Sequence, residues 1–164
     1  MIVVKKNNFL TYRKKNYRCS LGINGLSKKK VEGDQCTPVG IFTLGNLYVR
    51  TDKIKNLKTN FDYSSITKTM AWSDEPNSKN YNKLIDINHP HTEKMYRNDN
   101  IYDLILVINY NVNPTIPLKG SAIFIHVTTA NYIPTAGCIA LKIDDFKEIL
   151  TTLNPSEKVK IIDN

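Results

Sequence analysis

The first 50 residues alternate between apolar and polar side chains in short runs, which is typical of β-strands half-buried in a sheet. The runs "IVVKK" and "FLTY" flank Asn7-Asn8, a pair that suits a hairpin turn, and "YRCSLGI" follows after a basic connection. Residues 24–40 carry three glycines and one proline among polar residues, so they predict a loop. The strand pattern then resumes in "IFTLGNLYVR".

The middle of the chain, residues 51–100, is mostly polar and contains one tryptophan and several tyrosines. A segment of this length is too long for a plain linker in a compact domain. We therefore expect part of it to form an ordered functional loop or a segment that covers the sheet.

The last third of the chain has a clearer pattern. The runs "IYDLILVINYN" and "SAIFIHVT" predict buried strands, and "KVKII" predicts a short final strand. Between them, "DDFKEILTTLN" predicts an amphipathic helix with Asp144 and Asp145 near its positive N-terminus, ended by Pro155. Its apolar face comprises Phe146, Ile149, Leu150 and Leu153. We expect one mostly β domain over residues 1–164, with a helix after the Cys138 segment.

Composition sets only outer limits. A chain of 164 residues with 41% hydrophobic side chains suits one folded domain. The net charge of +8 would favour an anionic partner such as nucleic acid, a membrane surface or a carboxylate-rich wall polymer. The positive charge has an alternative explanation, because the joint abundance of Lys, Asn and Ile is expected from an AT-rich genome. Because the basic residues are scattered and are not interleaved with aromatics, we expect no nucleic-acid partner.

Three cysteines are present, and none belongs to a C-x-x-C pair, so neither a zinc knuckle nor a thioredoxin-like site is indicated. Cys19 lies in a predicted strand and is expected to be a buried small hydrophobe. Cys36 lies in the glycine-bearing loop and could pair with Cys19 in an oxidising compartment. The odd count leaves at least one thiol free.

The sequence "HPHTE" sets His89, His91 and Glu93 at alternate positions, which could suit a metal ion and raises a zinc peptidase as a rival. Because this spacing is not a known zinc signature and Pro90 indicates an irregular segment, we expect no metal. The N-terminal apolar run is too short for a signal peptide, and no run approaches the roughly 18 apolar residues of a membrane span. The chain as given is expected to be soluble.

The stretch "IFIHVTTANYIPTAGCIAL" carries the candidate chemistry. A cysteine becomes a nucleophile when its thiolate is stabilised, commonly by an imidazole, and the attacked carbonyl needs backbone N–H groups around it. His126 ends a strand, and Gly137 allows a tight turn beside Cys138. Cysteines are often buried, however, and a His and a Cys occur together in many inert cores. Chemistry alone leaves both interpretations open.

This stretch resembles the active-site motif of the L,D-transpeptidase catalytic domain (YkuD-like) family, in which a strand-ending histidine is followed by Ser/Thr-His-Gly-Cys. The resemblance extends over nearly the whole chain and is closest to a short bacterial branch. Further similar blocks are "WSDEPNSKNYN", "MYRNDNIYDLILVINYN" and "GSAIFIHV". Matching positions are Gly33, Asp34, Thr37, Pro38, Gly40, His126, Thr135, Gly137 and Cys138. Two positions depart: Ala136 stands where the motif has its second histidine, and Ala140 where an arginine or asparagine is common.

The resemblance implies a mostly β fold, a curved mixed sheet or sandwich with the 126–138 loop at its open edge. It implies that Cys138 attacks the carbonyl between the L-centre of diaminopimelate and the terminal D-alanine of a peptidoglycan stem tetrapeptide. His126 would be the base, and the N–H groups of Gly137 and Cys138 would hold the oxyanion. An acceptor amine would complete a 3→3 cross-link, whereas water would make the enzyme an L,D-carboxypeptidase. No cofactor is required, and a carbapenem should acylate Cys138.

Substrate binding is assigned less directly. Thr135 belongs to the motif, and Trp72, Tyr81 and Tyr96 could line the groove or serve as core and loop anchors. A rival from another class is a non-catalytic wall-binding module, for which Ala136 and Ala140 would be signs of decay. We expect a monomer in the periplasm or cell envelope, where the substrate lies. No export signal is visible, so the cytoplasm stays open as an alternative.

Overall fold

The structure, a computed structural model, describes residues 1–28, 30–89 and 93–163. The elements within these residues follow in this order: β1 (Ile2–Lys5), β2 (Phe9–Tyr12), β3 (Lys15–Ser20), β4 (Leu26–Ser27), β5 (Thr37–Pro38), β6 (Gly40–Val49), β7 (Tyr63–Ser65), β8 (Met70–Trp72), β9 (Leu84–Asp86), β10 (Glu93–Lys94), β11 (Leu104–Ile108), β12 (Phe124–Val127), β13 (Ile139–Leu141), α1 (Ile143–Leu150) and β14 (Lys158–Ile162). The mostly β prediction is confirmed.

The main sheet is mixed and closes on itself. Its strand order is β11-β12-β13-β3-β2-β1-β14-β6-β7, and an additional pairing joins β6 to β11. Closure depends on the ten-residue strand β6, which pairs with β14 through residues 40–43 and with β11 through residues 44–49. Closing a sheet in this way pairs strand edges that would otherwise be exposed.

The strand and helix predictions agree with these elements in most places. The β1–β2 hairpin turns around Asn7-Asn8, with Lys5 opposite Phe9 and Asn8 in a left-handed conformation (φ 62°). Helix α1 carries Asp144 and Asp145 in its first turn but stops at Leu150, before the predicted limit at Pro155. Leu153 is nevertheless fully buried, so the predicted apolar face is retained.

Two apolar cores lie on opposite faces of β11 and β12. The larger core includes Ile125 and Ile139 together with the apolar face of α1. The smaller includes Phe124 and Cys138, and it is covered by the three-stranded sheet β10-β8-β9. Part of the segment 51–100, the strands β8 to β10, is therefore an ordered cover over this core, as the length of the segment predicts.

The prediction that the 126–138 loop lies at an open edge of the sheet is wrong. Strand β12 is paired on both sides, antiparallel with β11 and parallel with β13. Parallel neighbours need a crossover connection rather than a hairpin. The loop is that crossover. It joins the end of β12 to the start of β13, and both of these strands are paired on both sides.

Candidate active site

The pairing of β12 with β13 places His126 and Cys138 on one face of the sheet. His126 lies opposite Ala140, and Ile125 lies opposite Ile139. Because successive side chains in a strand point to opposite faces, Cys138 and Ala140 share the face of His126, while Ile125 and Ile139 point into the larger core. His126 and Cys138 both line a cavity of about 500 Å³.

Hydrogen bonds to the backbone hold the Cys138 side chain. The thiol donates to the Ala122 carbonyl at 3.2 Å, and the Phe124 N–H donates to the sulfur at 3.4 Å. The side chain is 8% exposed, and burial raises the pKa of the Cys138 thiol to about 12. Burial disfavours a charged sulfur. The Cys138 thiol is therefore neutral in this state.

Thr135 and Gly137 shape the turn that leads into Cys138. The Thr135 hydroxyl donates to the Cys138 carbonyl at 2.6 Å and accepts from the Gly137 N–H at 3.1 Å. Gly137 has a φ of 139°, and a Cβ there would lie 2.8 Å from the Cys36 carbonyl oxygen. The position therefore requires glycine. Since the Gly137 N–H is engaged by Thr135, it is held within the turn in this state.

The His126 imidazole is oriented by the backbone. Its Nδ1 lies 2.9 Å from the Val127 carbonyl, and the Tyr102 ring meets it edge-on at 5.3 Å. Because a carbonyl only accepts, Nδ1 carries the proton and Nε2 keeps its lone pair. Burial lowers the pKa of His126 to about 4. A neutral imidazole with a basic Nε2 is the form that can take a thiol proton.

Charged side chains from two other parts of the chain also line the cavity: Lys30, Glu32, Asp74, Glu93 and Arg97. The Tyr102 hydroxyl donates to Glu93 at 2.6 Å, and the Arg97 guanidinium lies 5.3 Å from the centre of the Tyr102 ring. Burial raises the pKa of Glu93. Sequence reasoning did not single out Arg97 or Tyr102, although both lie in the block "MYRNDNIYDLILVINYN".

The three aromatic residues considered for substrate binding are not among the described residues that line the cavity. The Trp72 indole packs edge-on against Phe124 at 5.1 Å, inside the smaller core. The Tyr81 hydroxyl donates to Glu32 and accepts from the Gly120 N–H, so it ties two loops together. The Tyr96 ring stacks on Arg50 at 3.7 Å. These placements favour the core and loop-anchoring alternative, whereas Thr135 does line the cavity.

The two positions that depart from the motif also line the cavity. Ala140 is buried directly opposite His126, and Ala136 is exposed. Cys19 is buried and Cys36 partly buried, and both thiols are free. A disulfide between them is therefore absent from this structure.

The metal hypothesis concerns residues 89–93, of which residues 90–92, including His91, lie outside the described residues. In the ranges that the structure describes, no group of three or more His, Cys, Asp or Glu side chains could hold a metal ion. The same ranges contain no helix with the length and apolar character needed to span a membrane.

Comparison with known proteins identifies the family to which this chain belongs. The protein is mostly β, with a cysteine and a histidine on one wall of a cavity. The chain belongs to the L,D-transpeptidase catalytic domain (YkuD) family, whose model matches residues 1–161. Among curated proteins, none matches this sequence.

Similar solved structures include the helical cell shape determining protein Pgp2 from Campylobacter jejuni, with 15% identity, TM-score 0.46, and coverage of 99% of this chain and 47% of that one. An L,D-transpeptidase (Yku) from Stackebrandtia nassauensis has 13% identity and TM-score 0.44, covering 99% of this chain and 55% of that one. For an L,D-transpeptidase from Mycobacterium smegmatis the values are 11% and 0.43, with 98% and 57% covered. The chain spans about half the length of these proteins.

Proposed function

We propose that this protein is a cysteine-dependent L,D-transpeptidase that acts on peptidoglycan stem peptides through a Cys138 thioester. The observation that carries the proposal is the placement of His126 in β12 and of Cys138 just before the parallel strand β13, both facing one cavity, in a chain that belongs to this family. Peptidoglycan as substrate places the protein in the cell envelope.

The proposed reaction starts from a neutral pair. As Cys138 attacks the donor carbonyl, its proton passes to Nε2 of His126, and the Val127 carbonyl stabilises the imidazolium through Nδ1–H. The imidazolium then protonates the departing D-alanine amine. The Cys138 N–H is the proposed oxyanion donor, and Gly137 would join it only if its N–H left the Thr135 hydroxyl.

The mixed charges of the cavity suit the proposed substrate. Stem peptides carry free carboxylates and, at the diaminopimelate side chain, an amine. The Arg97 guanidinium, which is paired with Asp99, can also bind a substrate carboxylate, while Glu93 and Asp74 can accept from an ammonium group. An ionic substrate therefore meets both signs of charge in the cavity that Cys138 lines.

We expect an amine to resolve the thioester in preference to water. Glu93 and Arg97, from the covering segment, line the cavity together with Ile101 and Tyr102, and a covered acyl-enzyme excludes water. Incubation with excess tetrapeptide-bearing muropeptides should yield 3→3 dimers, detected by mass spectrometry. If only tripeptide and free D-alanine accumulate, the enzyme is an L,D-carboxypeptidase. If neither forms, the wall-binding module becomes the better description.

The acid limb of the pH profile should lie well below that of an ordinary histidine. Catalysis needs a neutral imidazole, so the rate rises with pH as His126 loses its proton. Because burial lowers the pKa of His126 to about 4, kcat/KM at pH 5.5 should remain close to its value at pH 7. An imidazole titrating at its ordinary pKa would retain only about a tenth at pH 5.5. A profile that halves near pH 6.5 would contradict the buried, neutral base.

A further inference from the structure

The residue that directs the nucleophile's hydrogen bond has an unusual backbone conformation. The Ala122 carbonyl accepts from the Cys138 thiol at 3.2 Å. Ala122 has a φ of 53°, in the left-handed region that residues with a Cβ seldom adopt. Such a conformation persists only where neighbouring groups hold it. The direction of this carbonyl, and with it the position of the sulfur, therefore depends on what holds Ala122.

The group that holds Ala122 is the buried side chain of Asn82, which is 4% exposed. Its Oδ1 accepts from the Ala122 N–H at 3.0 Å and from the Trp72 indole N–H at 3.0 Å. Its Nδ2 donates to the carbonyls of Tyr110 and Asn111 at 2.9 and 2.8 Å. Two donors, two acceptors and a full set of partners leave the amide a single orientation.

We propose that Asn82 is a positioning residue for the nucleophile: through its bond to the Ala122 N–H, it directs the Ala122 carbonyl that holds the Cys138 sulfur. This inference rests on the proposed function for its kinetic consequence. Asn82 is not among the described residues that line the catalytic cavity, so it acts without touching substrate. Trp72 contributes to the same network by donating to the shared oxygen.

The Asn82→Gly variant tests the proposal. Asn82 itself has a φ of 57°, so glycine keeps its backbone conformation while removing all four side-chain hydrogen bonds. We expect kcat to fall by about 100-fold, as small misplacements of a reacting group can do, with KM unchanged within about twofold. A matching fall in substrate affinity with kcat retained would overturn the proposal.

Asn111→Gly is the matched control. Asn111 is also left-handed, with a φ of 52°, and its side chain bonds to Ile116 and Gly120 in the same region without contacting Ala122. This variant loses a comparable set of hydrogen bonds, so general loosening of the region should affect it equally. Because glycine tolerates the left-handed conformation and keeps the backbone carbonyl that accepts from Asn82, we expect its kcat to stay within about threefold of wild type. An equal loss in both variants would show that loosening, rather than Asn82, is responsible.

Alkylation of Cys138 provides a measurement that does not depend on turnover. A hydrogen bond from the neutral thiol favours the protonated form, so losing the Ala122 acceptor should increase the thiolate fraction. Iodoacetamide at pH 8 should therefore modify Cys138 in N82G about tenfold faster than in wild type, although kcat falls. Peptide mass spectrometry measures the alkylation of buried Cys19 in the same samples. Faster labelling of both cysteines would indicate unfolding and would overturn the proposal.

A second variant covers the case in which N82G does not fold, as judged by circular dichroism. Asn82→Asp keeps an oxygen for the Ala122 N–H but loses the two donors to Tyr110 and Asn111. It should keep Cys138 alkylation within about threefold of wild type, because the bond to Ala122 remains. A tenfold increase in N82D would assign the effect to the lost donors and contradict the proposal. If wild type lacks transpeptidase activity, the proposed function fails while these alkylation rates still test Asn82.

Discussion

Replacing Cys138 by alanine should reduce turnover of tetrapeptide stems to the background rate, a loss of at least about 10⁴-fold. The thioester cannot form without the sulfur, and the sulfur is held at the cavity wall by the Ala122 carbonyl and the Phe124 N–H. The fold should survive, because the substitution removes one small buried atom. Turnover is measured by mass spectrometry of muropeptides, and folding by thermal unfolding.

Cys36→Ala is the matched control, since Cys36 is a free thiol that does not line the cavity. It should retain wild-type turnover. A carbapenem should add its mass to the Cys138 peptide in wild type and in C36A, but not in C138A. Labelling confined to Cys19 or Cys36 would remove Cys138 from the proposed mechanism.

Replacing His126 should have the second largest effect, a loss of about 10²–10⁴-fold in kcat/KM, the usual range for general acid–base catalysis. Ala136 stands where the family motif has a second histidine, so the proposed base role falls on His126 as the one histidine of the motif in this chain. His126→Gln fills most of the buried space beside Tyr102 but supplies no base, which separates catalysis from packing. Both H126A and H126Q should lose activity to a similar extent.

His89→Ala controls for the loss of an imidazole elsewhere, since His89 is exposed and outside the cavity. It should be as active as wild type. Near-normal activity in H126Q would transfer the base role to water or to another side chain. Activity lost in H126A but kept in H126Q would assign His126 a packing role.

Local pattern was sufficient for much of the architecture. The period of two in the N-terminal runs predicts β1 to β3, and the spacing of Phe146, Ile149 and Leu150 predicts α1. These predictions succeed because each element buries one face, and a buried face produces a regular spacing of apolar residues in the sequence. The closing of the sheet is different. It depends on β6 pairing with two distant strands, β14 and β11, and no local period encodes that choice.

The candidate site, like the fold, could be predicted only in part from the sequence. The sequence by itself determined the family, through the motif ending in Gly137 and Cys138, and it pointed to His126 as the candidate base. Only the tertiary structure decided the charge state of that pair. Burial lowers the pKa of His126 and raises the pKa of Cys138, and burial depends on how the whole chain folds. The tertiary structure also decided which polar side chain holds the backbone segment that bonds to Cys138. Asn82 reaches Ala122 across 40 positions of chain, and such a hydrogen bond exists only once the sheet has brought both segments together.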